Sequence, residues 1–287
     1  MEMLRAQCKK GRGLCVGLDC DVDLIPKEFK EAHGSDLVGM VTAFARDRIW
    51  QTHEFACAYM ADHNFYLEHG AGGLSALQQI IASVHTIAPG VPFILGSYAG
   101  GVYHSNVKLA RYAFDTMHAD GITVNPWFGQ EALEPLLSRS EKGVFVVCRT
   151  SNYGAAEFQD LLLAKHDDVP LYKTVAFQVA TYWNDRHNCA LLMGPMAYGE
   201  LAKVRDIVNH LPIFVTGIGS QGPSHKIEDE DVREIIVNGG NGKPHGSVVC
   251  SSRGVIFAPG IRGPHDEAAR LHGLIAKHRV ARQTITA

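Results

Sequence analysis

Residues 189–222, CALLMGPMAYGELAKVRDIVNHLPIFVTGIGSQG, hold one full turn of the pattern that decides the fold. The run 189–194 is short and almost wholly apolar, the stretch 197–209 carries apolar residues three and four positions apart, and 212–217 is a second short apolar run. Those features spell strand, helix and strand. Continuous rather than alternating hydrophobicity is what a strand needs when helices cover both faces of a parallel sheet. The same alternation extends along the rest of the chain. It predicts strands at 13–18, 55–60, 92–97, 120–125, 143–148, 189–194, 212–217 and 246–251, and helices at 36–53, 73–88, 105–118, 129–138, 155–165, 170–186, 197–209 and 228–238. Residues 264–279 read as a last helix.

Eight such units fit an α/β fold, the closed (β/α)8 TIM barrel, which commonly occupies about 250 residues as one domain. The 287 residues are therefore expected to form a single domain over 1–287, with 1–12 an N-terminal extension and 264–287 a C-terminal helix and tail. A doubly wound open sheet shares the alternation, but the glycine fingerprint expected after its first strand is absent.

Composition narrows the function. A net charge of −3 with no long basic run offers no electrostatic footprint for nucleic acid. No window approaches the ~20 apolar residues needed to cross a bilayer, and MEMLRAQCKKGRG lacks a signal-peptide core, so a cytoplasmic protein without a membrane partner is expected. Seven cysteines, an odd number with no CxxC pair, read as reduced thiols. The 15 histidines include no HExxH or similarly spaced ligand pair, so no metal site is assigned.

Polar clusters follow several strands: Asp19 after LCVGL, Asn125 and Pro126 after GITV, Arg149 to Asn152 after VFVVC, and Gly217 to Gln221 after IFVT. In a parallel barrel the loops after the strands converge on one face, so these clusters should line one pocket. IFVTGIGSQG looks like an anion cradle, because glycines let backbone N–H groups approach a phosphate. Arg253, after the last strand, could grip the same phosphate with its guanidinium.

The runs GLCVGLDCDVDLIP, DGITVNPWFGQEALEPLL, GVFVVCRTSN, IFVTGIGSQG and SSRGVIFA are similar, in order and spacing, to successive motifs of the bacterial-type branch of the orotidine 5'-phosphate decarboxylases. They span residues 13 to 258. The resemblance implies a barrel that needs no cofactor and binds a phosphorylated small molecule, a nucleotide, as a homodimer with the barrel mouths facing the interface. It implies that Asp19 holds a ribose hydroxyl, that Ser151 and Asn152 lie near the pyrimidine, and that Gly219, Gln221 and Arg253 serve the phosphate; Asn125, from its place after the fourth strand, is also expected to bind substrate. Pro223 stands where the family pattern has a second glycine, removing one backbone donor.

The catalytic segments depart further. The family carries a lysine at the end of the second strand and an Asp-x-Lys-x-x-Asp motif at the end of the third. YMADHNFYLEHG places Met60 at the first lysine, and ILGSYAGGVYHS places Gly96, Tyr98 and Gly101 at the three charged positions of the second. Methionine and glycine carry neither charge nor proton, and a phenol with an ordinary pKa of about 10 is a poor ammonium. The replacements bring other polar groups: Tyr98, Asp62, His63 and His104 are the candidate catalytic residues. The sequence thus leaves three readings: an enzyme with altered chemistry on a nucleoside 5'-monophosphate, a catalytically inactive nucleotide-binding protein, or a residual orotidine 5'-phosphate decarboxylase.

Overall fold

Each strand-forming run becomes a strand. In the computed structural model, which describes residues 1–164, 168–194, 198–217, 227–240 and 246–285, the barrel strands are β1 (Leu14–Gly17), β2 (Ala56–Asp62), β3 (Phe93–Ala99), β4 (Gly121–Val124), β5 (Gly143–Arg149), β8 (Cys189–Met193), β9 (Ile213–Val215) and β10 (Ser247–Ser251). A two-stranded antiparallel pair, β6 (Leu162–Leu163) and β7 (Val169–Pro170), lies between β5 and β8. The eight barrel strands are parallel and close in the order β1-β10-β9-β8-β5-β4-β3-β2. Closure leaves no exposed sheet edge and brings the loops after all eight strands to one rim.

Alternate strand residues divide the core in two. Outward-facing Leu14, Val16, Tyr59, Leu95, Val146 and Leu191 pack under the helices. Inward-facing Cys15, Met60, Phe145, Leu192, Phe214 and Cys250 fill the barrel, with Phe145 and Phe214 edge to face at 4.9 Å. Helices Leu37–Thr52, Gly70–Ile87, Gly129–Leu137 and Asp229–Gly239 follow the expected periodicity within a few residues.

Segment 1–12 departs from expectation, for it is not a mere extension. Glu2–Lys9 is a helix whose Leu4 and Cys8 complete the inner core. Arg5 donates to the His187 carbonyl at 2.9 Å and Gln7 to the Gly90 carbonyl at 2.7 Å, both just before strands, so the helix closes the end of the barrel opposite the rim. At that end Asp120 accepts from His85 Nε2 and the Phe93 N–H, each at 2.9 Å, tying helix Gly70–Ile87 to β3 and β4.

The helix expected over 155–165 is the second departure. Among the described residues of that stretch the α-helix is confined to Ala155–Phe158, and Leu162–Leu163 enters the small β6–β7 pair instead. A short apolar run reads equally as helix or strand by periodicity. Among the described residues, no helix is long and apolar enough to cross a membrane.

Candidate functional site

At the rim lies a cavity of about 340 Å³, bounded by the ends of β1, β2, β3, β5, β8 and β10 and the turn after β9. Parallel strands aim their carboxyl ends at this face, which is why residues distant in sequence share it. Asp19, Tyr98, Ser151 and Arg253 all line the cavity. Gly217 and Thr216 stand at its β9 side, while Gly219 and Gln221 of the expected cradle, and Pro223, lie outside the described residues.

Arg253 opens the short helix Arg253–Ile256, directly after β10. Its exposed guanidinium makes no hydrogen bond or ion pair to a described residue, leaving its donors available to an anion. Arg149, the other cation on the cavity wall, is committed. Its Nε and Nη2 donate to the two oxygens of Asp160, each at 2.8 Å, a bidentate pair that straps the segment after β5 to its strand. Gln159 reinforces the strap by accepting from the Thr150 N–H at 2.8 Å.

Ser151 approaches the cavity over Gly194, where a Cβ would fall 2.4 Å from the Ser151 nitrogen, so only glycine allows that contact. Asn152 is exposed, accepts from the Thr150 hydroxyl at 2.6 Å, and does not line the cavity. Asn125 also stands back. It donates to the Tyr98 carbonyl at 3.1 Å, accepts from the Trp127 N–H at 3.2 Å, and borders a separate apolar cavity with Trp127, Phe158 and Tyr172.

The acidic end is built on β1, β2 and β3. Asp19 accepts the Asp62 N–H at 2.8 Å, and burial pushes its carboxyl up while that hydrogen bond and Arg253 pull it back. Tyr98 occupies the left-handed region at φ 49°, held by a 2.8 Å bond from its N–H to the Thr123 hydroxyl. Burial, then Asp62 and Asp19, raise its phenol far above the usual tyrosine value, so at neutral pH it can donate a hydrogen bond but is neither base nor cation. Met60 lies on the cavity wall.

Asp62, His63 and His104 do not line the cavity. Asp62 turns to its own chain, accepting from Asn64 N and Nδ2 at 3.0 and 2.9 Å. His63 Nδ1 lies 3.2 Å from the Gly96 carbonyl, and His104 is exposed against the Tyr103 ring. Among the described residues no cluster of three or more His, Cys, Asp or Glu could hold a metal ion. Sequence reading singled out neither Asp160 nor Gly194; an ion pair spanning eleven residues and a glycine shaped by close approach leave no local pattern.

No family model matches the sequence. Individual relatives do: orotidine 5'-phosphate decarboxylase of Cellvibrio japonicus is 34% identical over 245 residues, 85% of this chain and 84% of that protein. The protein of the same name from Natronomonas pharaonis is 40% identical over 264 residues, 91% of this chain and 89% of its own length. The chain belongs to the orotidine 5'-phosphate decarboxylase family. Among solved structures, the OMP decarboxylase of Leishmania donovani superposes with a TM-score of 0.81 at 28% identity, covering 96% of this chain and 97% of its own. The UMP synthase of the same organism gives 0.82 at 30%, covering 98% of this chain and 56% of that longer one. Within the family barrel, the four positions aligned above with charged residues hold Met60 and Tyr98 on the cavity wall, Gly96 paired with Asp62 in the β2–β3 register, and Gly101 bonded to Asn106.

Proposed function

We propose that this chain binds a nucleoside 5'-monophosphate at the barrel rim, with the phosphate toward Arg253 and the base toward Tyr98 and Ser151, and that it decarboxylates orotidylate only residually. One observation carries the reading: the described cavity wall offers both an uncommitted guanidinium and a neutral phenol where the family has an ammonium. The first supplies affinity for a phosphate. The second removes the proton donor and the positioned charge on which decarboxylation depends.

Relatives named orotidine 5'-phosphate decarboxylase over 84–90% of their length support an orotidylate-related ligand over an unrelated chemistry. Altered chemistry also loses support from geometry, since His63 and His104 do not line the cavity. In this reading Asp19 takes a ribose hydroxyl, Ser151 a base edge, and residues 1–287 act as one domain in a homodimer. The test is calorimetric titration with uridine 5'-monophosphate and uridine. Binding of the nucleotide and not the nucleoside supports the proposal; equal binding, or none, defeats it.

A further inference from the structure

Four of the free cysteines, Cys8, Cys15, Cys57 and Cys250, share the interior of the barrel, and the nucleotide reading uses none of them. Cys15 and Cys250 are register partners across β1 and β10, the first and last strands, whose pairing closes the barrel. Neighbouring strands lie about 4.8 Å apart, and residues paired in a parallel ladder send their side chains to one face. Here that face is the interior, where the curvature of a closed barrel draws the Cβ atoms together. A disulfide needs Cα atoms roughly 4.4–6.8 Å apart, so these two sulfurs can bond without unpairing the strands. Access separates the four thiols. Cys250 is 5% exposed and lines the rim cavity, whereas Cys15, Cys8 and Cys57 are wholly buried and do not line it. Burial and the neighbouring Cys250 also hold the Cys15 thiol well above its ordinary value, so Cys15 is not the first to meet an oxidant.

We propose that Cys250 and Cys15 form a peroxide-sensitive dithiol: Cys250 is the site of oxidation, reached through the rim cavity, and Cys15 is the resolving thiol behind it. The Cys250 thiolate attacks one oxygen of hydrogen peroxide and the O–O bond breaks. The sulfur becomes a sulfenic acid, and the departing hydroxide takes up the proton that the thiol gave away, forming water. The Cys15 sulfur then attacks the Cys250 sulfur. The S–O bond breaks, and the Cys15 proton leaves with the oxygen as a second water. Two thiols are oxidised to one disulfide and the peroxide is reduced to two waters. The bond staples together the two strands that lead to Asp19 and Arg253, both on the cavity wall. A dithiol reductant reverses it.

The test treats the intact, folded chain with hydrogen peroxide, alkylates the remaining thiols in urea and maps the peptides by mass spectrometry. A Cys15–Cys250 crosslink, lighter than the two thiol peptides by two hydrogens and abolished by dithiothreitol, should be the main product. The other cysteines should stay alkylatable. In Cys15→Ala the crosslink is lost, and Cys250 should instead be trapped by dimedone as its sulfenic acid. Three results would overturn the proposal. Sulfinic acid at Cys250 in the natural chain, with Cys15 still a thiol, means that the register does not bring the two sulfurs within bonding reach. A disulfide that forms first between Cys8 and Cys57 means that the cavity is not the route of the oxidant. A Cys250 that stays reduced under conditions that oxidise it in the urea-unfolded chain means that peroxide does not reach it.

Discussion

At the scale of single residues, Arg253 and Tyr98 both line the cavity and give it its two chemical characters. Arg253 makes no hydrogen bond or ion pair to a described residue, so its hydrogen-bonding donors are open to a phosphate. Arg253→Ala should weaken uridine 5'-monophosphate binding by about 1.5–3 kcal/mol, the range for a hydrogen bond to a charged group, with uridine unaffected. Calorimetry on the two proteins checks it. The cysteines make a second prediction. All seven are free and buried, and burial pushes Cys20, Cys148 and Cys189 up to about 12. A thiol is nucleophilic only as thiolate, so the native protein at pH 8 should react with Ellman's reagent far more slowly than the urea-unfolded chain, which should titrate all seven. Rapid native labelling of several thiols would contradict the packing. That both side chains would reach one cavity was legible in the sequence, because each lies at a fixed offset from a strand end. The Arg149–Asp160 strap was not, since charge pairs formed by a loop folding back obey no periodicity.

At the scale of elements, the seams are set by polar anchors more than by strand propensity. Asp120 shows the energetics. Burial works to raise its carboxyl, but the His85 hydrogen bond and the Phe93 N–H outweigh it, and the folded value falls below the ordinary one. A depressed folded pKa contributes stability that is present above the unfolded carboxylate value of about 3.9 and is lost as pH falls through the folded value. Asp120→Asn should therefore lower the unfolding free energy in urea by about 1–3 kcal/mol at pH 7. That deficit should shrink as the pH is brought below the ordinary carboxylate range; a deficit independent of pH would mean that the anion plays no part. Strand positions were readable because burial on both faces writes an unbroken apolar run. The segment 155–165 and the N-terminal helix were not. LLLA at 161–164 satisfies either period, and Glu2–Lys9 is set by what it plugs, the inner core reached by Leu4 and Cys8.

At the scale of the whole molecule, the closed barrel holds the pocket independently of which side chains line its rim. The strands fix where side chains emerge, and the rim residues can be exchanged without disturbing the two cores. Exchange is not free at every position. At Gly96 a Cβ would lie 2.6 Å from the Ala61 carbonyl oxygen, so β2 and β3 approach too closely there for a larger side chain, and an aspartate requires backbone movement. Large apolar groups remain exposed near the rim, among them Val102, Tyr103, Trp127 and Phe128. In the proposed homodimer they are covered, and light scattering at micromolar concentration should return twice the 31.3 kDa of one chain. A mass of one chain would remove the dimer. The central claim, a retained nucleotide site without the charges that drive decarboxylation, is tested most directly by following CO2 release from saturating orotidylate, side by side with the Cellvibrio japonicus relative. Loss of a positioned proton donor and of its preorganised field each lower a rate by about 10²–10⁴. The account predicts release at least about 10⁴-fold slower per site than that relative; a rate within about tenfold of it would contradict the account.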